Sequence, residues 1–347
     1  MSAATVTLRP LRTVEPATVV HRTPLVASRL INGVYWKLEG CNPTGTFKDR
    51  VMQRLVGEAL RTGAVGAVVA SSGNAAAAAA AACARAGLPL LALVPAGTDP
   101  ARLAPLRLRS VPVVEVAGDP STAYAAAAAL VEHAGLAELP STFRSPATEE
   151  ACRAVGHEIV AELGGPPAAL SAAISVGPIL VGAGHGVTEA SGARPALLGA
   201  QAAGCAPIAA AFDAGHDTPQ VWTEPITTKA ASIADRLTGY AHEGAFTARS
   251  VRASGGFVAA YDDRDLLRAR RDLAAVDGID VELASAAAVC AAAAWHGPRP
   301  VVGVLTGVGT RETIAGLGLD GPNVDPRGFA ERVEVPDLLE VLAAWMT

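Results

Sequence analysis

Apolar residues in this chain fall in short runs that alternate with longer stretches of mixed polarity. Residues 63–70 are apolar and valine-rich and run into Ser71-Ser72-Gly73-Asn74, which predicts a strand, a turn and then a helix of alanines to Arg85. The same rhythm predicts strands over 88–94 and 111–116 and helices over 101–108 and 121–133. Beyond Pro146 a second series begins: helix 149–163, strands 172–176 and 197–201, an irregular stretch over 206–228, and a strand over 257–261. Helices 263–276 and 284–295 precede a last strand over 301–305. Short apolar strands separated by helices imply βαβ units and parallel sheets with helices on both faces. The expected fold is therefore α/β in two lobes, with a boundary near residues 137–147.

Composition narrows the function classes. The 347 residues carry a net charge of −5 and no cationic stretch, which speaks against nucleic acid or an anionic membrane as partner. Residues 264–271 mix arginines with acids and read as a solvated helix face. The alanine tract 75–82 is too short and too weakly apolar to span a bilayer, and Arg9 and Arg12 precede no apolar run of signal length. Cys41, Cys83, Cys152, Cys205 and Cys290 form no metal-ligand pair, so no metal site is expected. They fit a reducing cytoplasm and are expected to be buried packing, with Cys41 the candidate for reactivity.

Lysine is rare: Lys37, Lys48 and Lys229 are the only three. Lys48 lies in the turn-like segment Asn42-Pro43-Thr44-Gly45-Thr46-Phe47-Lys48-Asp49-Arg50. Unlike arginine, a desolvated lysine loses its proton and attacks a carbonyl. Three further segments stand at predicted strand ends, where open parallel sheets bind ligands. In Ser71-Ser72-Gly73-Asn74 a glycine permits close backbone approach, helix N–H groups are free, and Asn74 adds an amide donor. Val176-Gly177 and the cluster Gly182, Gly184 and Gly186 could each cradle a phosphate, and the cluster also reads as a degenerate dinucleotide fingerprint. Thr306-Gly307-Val308-Gly309-Thr310 follows the last strand.

Together, and in this order, these segments resemble the fold-type II pyridoxal-phosphate enzymes, and within them the threonine synthases. The resemblance extends through Arg22-Thr23-Pro24-Leu25, Gly199 to Gly204, Ser254-Gly255-Gly256 and Asp280 to Ala287, so it spans nearly the whole chain. It implies a two-lobed fold like that of tryptophan synthase β, with a large cofactor-binding lobe over 1–47 plus 140–347 and a smaller substrate lobe over 48–139. It implies pyridoxal 5′-phosphate as cofactor, Lys48 as the Schiff-base lysine and α-proton base, and Asn74 as donor to the cofactor's phenolic oxygen. Thr306 would supply the hydroxyl beside the pyridine nitrogen. A neutral group there favours loss of a β- or γ-leaving group over transamination. Val176, Gly177, Gly182 and Gly184 complete the expected cofactor site, and Ser71, Ser72, Gly73, Arg144 and Thr148 the substrate site. A homodimer acting on a small amino acid in the cytoplasm is the corresponding expectation.

The chain departs from that pattern in two places. Where the family carries a polar segment with an arginine for the substrate phosphate, Thr148 takes the arginine's position and Glu149 and Glu150 follow. Pro178 removes an N–H from the cofactor-phosphate loop. The expected function is a lyase or synthase catalysing β- or γ-elimination or replacement. The alternatives are a β-replacement synthase or a serine/threonine deaminase-like enzyme acting on a non-phosphorylated or O-activated amino acid, and a catalytically idle amino-acid-binding relative.

Overall fold

The computed structural model describes residues 22–117, 120–310 and 330–333. Arg9 and Arg12 lie outside the described residues. The chain opens with the strands β1 (Leu25–Ala27) and β2 (Val34–Leu38), and helix α1 (Lys48–Arg61) follows the lysine turn. The smaller lobe continues as β3 (Gly66–Ala70), α2 (Asn74–Ala86), β4 (Leu90–Pro95), α3 (Ala104–Arg107), β5 (Val113–Val116), α4 (Pro120–Ala134) and β6 (Leu136–Glu138). Helix α5 (Pro146–Leu163) leads back through β7 (Ala169–Ala173), α6 (Pro178–Ser191), β8 (Ala196–Ala202) and α7 (Pro207–Asp213). The remainder is α8 (Ala241–Ala253), β9 (Phe257–Tyr261), α9 (Asp263–Asp277), α10 (Ala286–Ala294), β10 (Val301–Leu305) and β11 (Ala330–Val333).

Two sheets form, in the strand orders β1-β2-β10-β7-β8-β9 and β11-β5-β4-β3-β6. Every pairing is parallel except β1 on β2. The α/β expectation of two mostly parallel, helix-flanked sheets holds. One detail differs from the expected division: Ala330–Val333 pairs with β5, so this far segment joins the smaller sheet and not the lobe of residues 140–347.

Alternation along each strand explains the layering. In the larger sheet Ala169, Leu198 and Val301 face the apolar residues of α9 and α10, while Leu170, Leu197, Val302 and Val304 face the opposite way. In the smaller sheet Val68, Leu91, Leu93 and Val114 pack on α4. Their neighbours Ala67, Val69, Leu90 and Ala92 turn to α1 and α2. The inward faces of both sheets therefore share one core with α1, α2, α5 and α6. Alanines make α2 apolar all round, and Ala75 to Ala80 are all buried, as befits a helix in the middle of that core.

Helix α6 takes in the glycines that read as a phosphate cradle or a degenerate dinucleotide fingerprint. They are packing devices. A Cβ on Gly186 would be driven into the Arg153 carbonyl oxygen of α5, and one on Gly156 into the Ala183 carbonyl oxygen of α6. Gly184 makes room for Leu197 of β8. By contrast Gly57, within α1, has open space where its Cβ would stand. Gly57→Ala is expected to stabilise the fold by about 1 kcal/mol, whereas Gly186→Ala is expected to cost about 3 kcal/mol. Urea midpoints of the two variants check this.

Candidate active site

The lysine turn is built by its own side chains. Asp49 Oδ2 accepts from the Thr44 N–H at 2.7 Å and the Thr44 hydroxyl at 2.9 Å, closing the loop onto the first turn of α1. Gly45 takes φ +79°, which a side chain would oppose. Asn42 Nδ2 donates to Glu39 at 2.8 Å. Two residues past Lys48, Arg50 is buried and held by Glu39 at 2.7 Å and by Glu158 at 2.6 Å. Buried Lys37 binds Glu158 at 2.8 Å and also reaches Glu162. This buried ion network ties the start of α1 to β2 and to α5.

The turn after β10 docks on the lysine turn. Phe47 N–H donates to the Thr306 carbonyl at 3.0 Å, Val308 N–H to Gly45 at 2.9 Å, and Glu282 N–H to Gly307 at 3.1 Å. Thr306 and Ser285 are buried, with their hydroxyls 2.8 Å apart, and Ser285 Oγ also accepts from the Gly307 N–H at 2.8 Å. Asn74, first residue of α2, donates its amide to both Glu282 oxygens, at 3.1 and 3.2 Å. Lys48, Asn74 and Thr306, far apart in the chain, thus belong to one connected assembly. Ser71 and Ser72 lie half-buried on the turn before α2, where the Ser71 hydroxyl accepts from the Gly73 N–H at 3.2 Å. Arg102 leans over this turn, with Nη2 3.6 Å from where a Gly73 Cβ would stand.

Lys48 is half-buried, and its amine donates to the Ser141 carbonyl at 3.0 Å. Burial pulls its pKa down to about 8, with Cys152, Asp235 and Glu282 opposing. An amine so placed is neutral far more often near physiological pH than an ordinary lysine, which suits a nucleophile or a proton acceptor.

Val176 and Gly177 precede α6, where Pro178 has no N–H and the Leu180 and Val181 N–H groups both donate to the Gly177 carbonyl at 3.1 Å, which leaves the Gly177 and Ile179 N–H groups for a ligand. Gly177 takes φ +111°, and Thr247 fills the space beside it, its hydroxyl donating to the Val176 carbonyl at 2.6 Å. Gly182 and Gly184 are a correction. Both are buried inside α6, where their N–H groups belong to the helix ladder and their missing side chains admit α5 and β8, so they offer nothing to a phosphate or a dinucleotide.

The expected substrate residues are also placed differently. Thr148 is fully buried, and its hydroxyl donates to the Pro140 carbonyl at 3.2 Å, so it braces the segment before α5. Arg144 is exposed and paired with Glu138 at 3.2 Å. Cys41 is exposed, unlike Cys83, Cys152 and Cys205, because it sits at the surface of the turn before Asn42. Asp235, whose charge acts on Lys48, and Tyr240, which donates to it, carried no local sequence signal, and neither did Arg102 or Thr247. Among the described residues no three potential ligands converge on a metal site, and no helix is long and apolar enough to cross a membrane.

This arrangement fits pyridoxal phosphate. A desolvated lysine amine, an amide at a helix start, a neutral hydroxyl pair and the Gly177 and Ile179 N–H groups at the start of α6 offer partners for its aldehyde, phenolic oxygen, ring nitrogen and phosphate. A two-lobed α/β frame with that set of groups defines a coenzyme-dependent enzyme. Comparison with known proteins agrees: residues 17–307 match the pyridoxal-phosphate dependent enzyme family, to which the chain belongs. It is 29% identical to threonine synthase of Methanosarcina acetivorans, across 95% of this chain and 80% of that protein. With threonine synthase of Synechocystis it shares 31% identity over 83% of this chain and 75% of the relative. Among solved structures, maize serine racemase superposes with a TM-score of 0.71 at 21% identity, over 84% of this chain and 91% of that one. The protein is a pyridoxal-phosphate-dependent lyase of the fold-type II class.

Proposed function

We propose that this enzyme is threonine synthase-like and removes a β- or γ-substituent from a small amino acid, with or without replacing it, using Lys48 as both coenzyme anchor and base. The observation that carries the reading is the desolvated Lys48 amine on a turn against which the Thr306 segment docks, with Asn74 joined to that segment through Glu282. When bound, the coenzyme supplies the electron sink for cleavage at the α-carbon. Lys48 would hold it covalently and later accept the substrate's α-proton at Nζ. Asn74 would donate to its phenolic oxygen, and Val176, Gly177 and the start of α6 would receive its phosphate, where the helix dipole favours an anion.

Ser285 Oγ already accepts from Gly307, so it can give its own hydrogen to Thr306 and leave the Thr306 hydrogen for the ring nitrogen. Ser71, Ser72 and Gly73 would bind the substrate carboxylate, with Arg102 as the nearby cation. The reading includes a homodimer in the cytoplasm; the free cysteines support the latter and sedimentation tests the former.

Borohydride reduction of the yellow protein should leave a pyridoxyl adduct on Lys48. A panel of amino acids with their O-phospho and O-acetyl esters should release keto acid, phosphate or a new amino acid. A colourless protein that gains no band with added coenzyme would favour the idle-relative reading instead.

A further inference from the structure

Helix α2 begins without a side-chain cap: Gly73 precedes it, and the amide of Asn74, its first residue, reaches across to the larger lobe. There Glu282 takes the Asn74 Nδ2 on both carboxylate oxygens, at 3.2 and 3.1 Å. Glu282 is buried between α9 and α10, on the stretch that docks against the turn after β10. Its N–H donates to the Gly307 carbonyl at 3.1 Å, and its carbonyl accepts from the Ser285 N–H at 2.9 Å. Gly307 also makes room for its side chain, because a Cβ there would be driven into Oε1 and the carboxyl carbon. The same turn is tied to the lysine turn through Val308 and Gly45, so the position of this carboxylate is set by the frame that carries Lys48.

A carboxylate only accepts, so the Asn74 amide must present its NH2 to Glu282 and cannot present its carbonyl oxygen there. An NH2 carries two hydrogens, enough to serve a carboxylate and a phenolic oxygen together. Beside a neighbour that can donate, the amide could turn over and face that phenolic oxygen with its own carbonyl, acceptor against acceptor. The negative charge also lies at the N-terminal end of α2, where the helix dipole favours it. Glu282 is among the charges that oppose the fall of the Lys48 pKa, in keeping with its place beside the lysine turn.

We propose that Glu282 is the positioning residue for Asn74: from the larger lobe it holds the smaller lobe's amide in the orientation that donates to the coenzyme's phenolic oxygen. This rests on the role proposed for Asn74 above and deepens it. Glu282 acts through the amide and not on the coenzyme itself, so its removal should matter only while Asn74 is present.

The test compares four full-length proteins: wild type, Asn74→Ala, Glu282→Ala and the double variant. Two quantities are read, the apo-protein's dissociation constant for pyridoxal 5′-phosphate and the ratio of visible to near-ultraviolet absorbance once loaded. A donor on the phenolic oxygen favours its ionised, yellow form. Each single variant should therefore weaken binding at least about fivefold and shift absorbance towards the near-ultraviolet. The double variant should bind within about twofold of Asn74→Ala. Gly307→Ala keeps every charge and displaces only the carboxylate, so it should move both readouts in the same direction. Glu282→Gln keeps the size but can donate as well as accept, and should fall between wild type and Glu282→Ala; it replaces the alanine variant if that one does not fold. Equal losses from Glu282→Ala with and without Asn74 would make the carboxylate a mere prop of the turn and overturn the proposal. A visible band that grows when Glu282 is lost would overturn it too, since that is the effect of removing a negative charge alone. A wild-type protein that takes up no coenzyme would overturn the Lys48 reading and this inference with it, whereas additive losses in a yellow protein overturn the inference alone.

Discussion

Lys48→Ala is expected to abolish turnover and the coenzyme's visible band together, with activity falling by at least about 10³-fold. The size follows from the number of tasks on one amine. On the proposed reading Lys48 is both the covalent anchor and the group that accepts the α-proton, and Lys37 cannot substitute because it is buried against Glu158 and Glu162. Lys48→Arg separates charge from reactivity: guanidinium keeps the cation but does not lose its proton, so it should be as inactive as alanine.

The wild-type protein has its own signature. Burial brings the amine from 10.5 to about 8. The protonated form, dominant below that value, is not nucleophilic, so the rate of coenzyme uptake by apo-protein should rise through pH 8 and level off above it. A midpoint near 10.5 in stopped-flow absorbance would mean that Lys48 is solvated.

The second large effect concerns stability. Arg50→Met is expected to lower unfolding free energy by about 3–5 kcal/mol, read from denaturant midpoints. Arg50 gives Nε to Glu39, both terminal nitrogens to Glu158, and Nη2 to Thr23 Oγ1 at 3.1 Å. Burial alone would lower its pKa, but Glu39 and Glu158 more than offset this and hold it above its ordinary value. Methionine would fill the space yet leave Glu39 without its cation and Glu158 with Lys37 alone. The double variant Arg50→Met, Glu39→Gln should recover part of the loss, since one stranded charge is removed. A loss below about 1 kcal/mol, the scale of an exposed pair, would mean that water reaches the network. Because Arg50 is two residues from Lys48, partial coenzyme loss is expected alongside.

Local chemistry was legible where a segment carries its own instructions. Strands β3, β4, β9 and β10 are continuous apolar runs, and 257–261 and 301–305 appear with the expected bounds. The alanine run can only be a helix or a collapsed coil, and its propensity decides. The lysine turn closes through Asp49 on Thr44, five residues apart. Glycine misled. Gly182, Gly184 and Gly186 read as a phosphate cradle, because the sequence does not say that α5 and β8 approach closely enough to require them.

The primary structure alone determined the parallel α/β architecture, since apolar period acts within a few residues, and it marked Lys48, Asn74 and Thr306 as candidates through the family resemblance of the segments that carry them. Only the tertiary structure decided what surrounds that lysine. Glu39, Arg50 and Glu158, and likewise Asn74 and Glu282, come together from remote positions. The sign of the field on Lys48 depends on distances that folding sets, because Coulomb interaction follows separation in space and not along the chain.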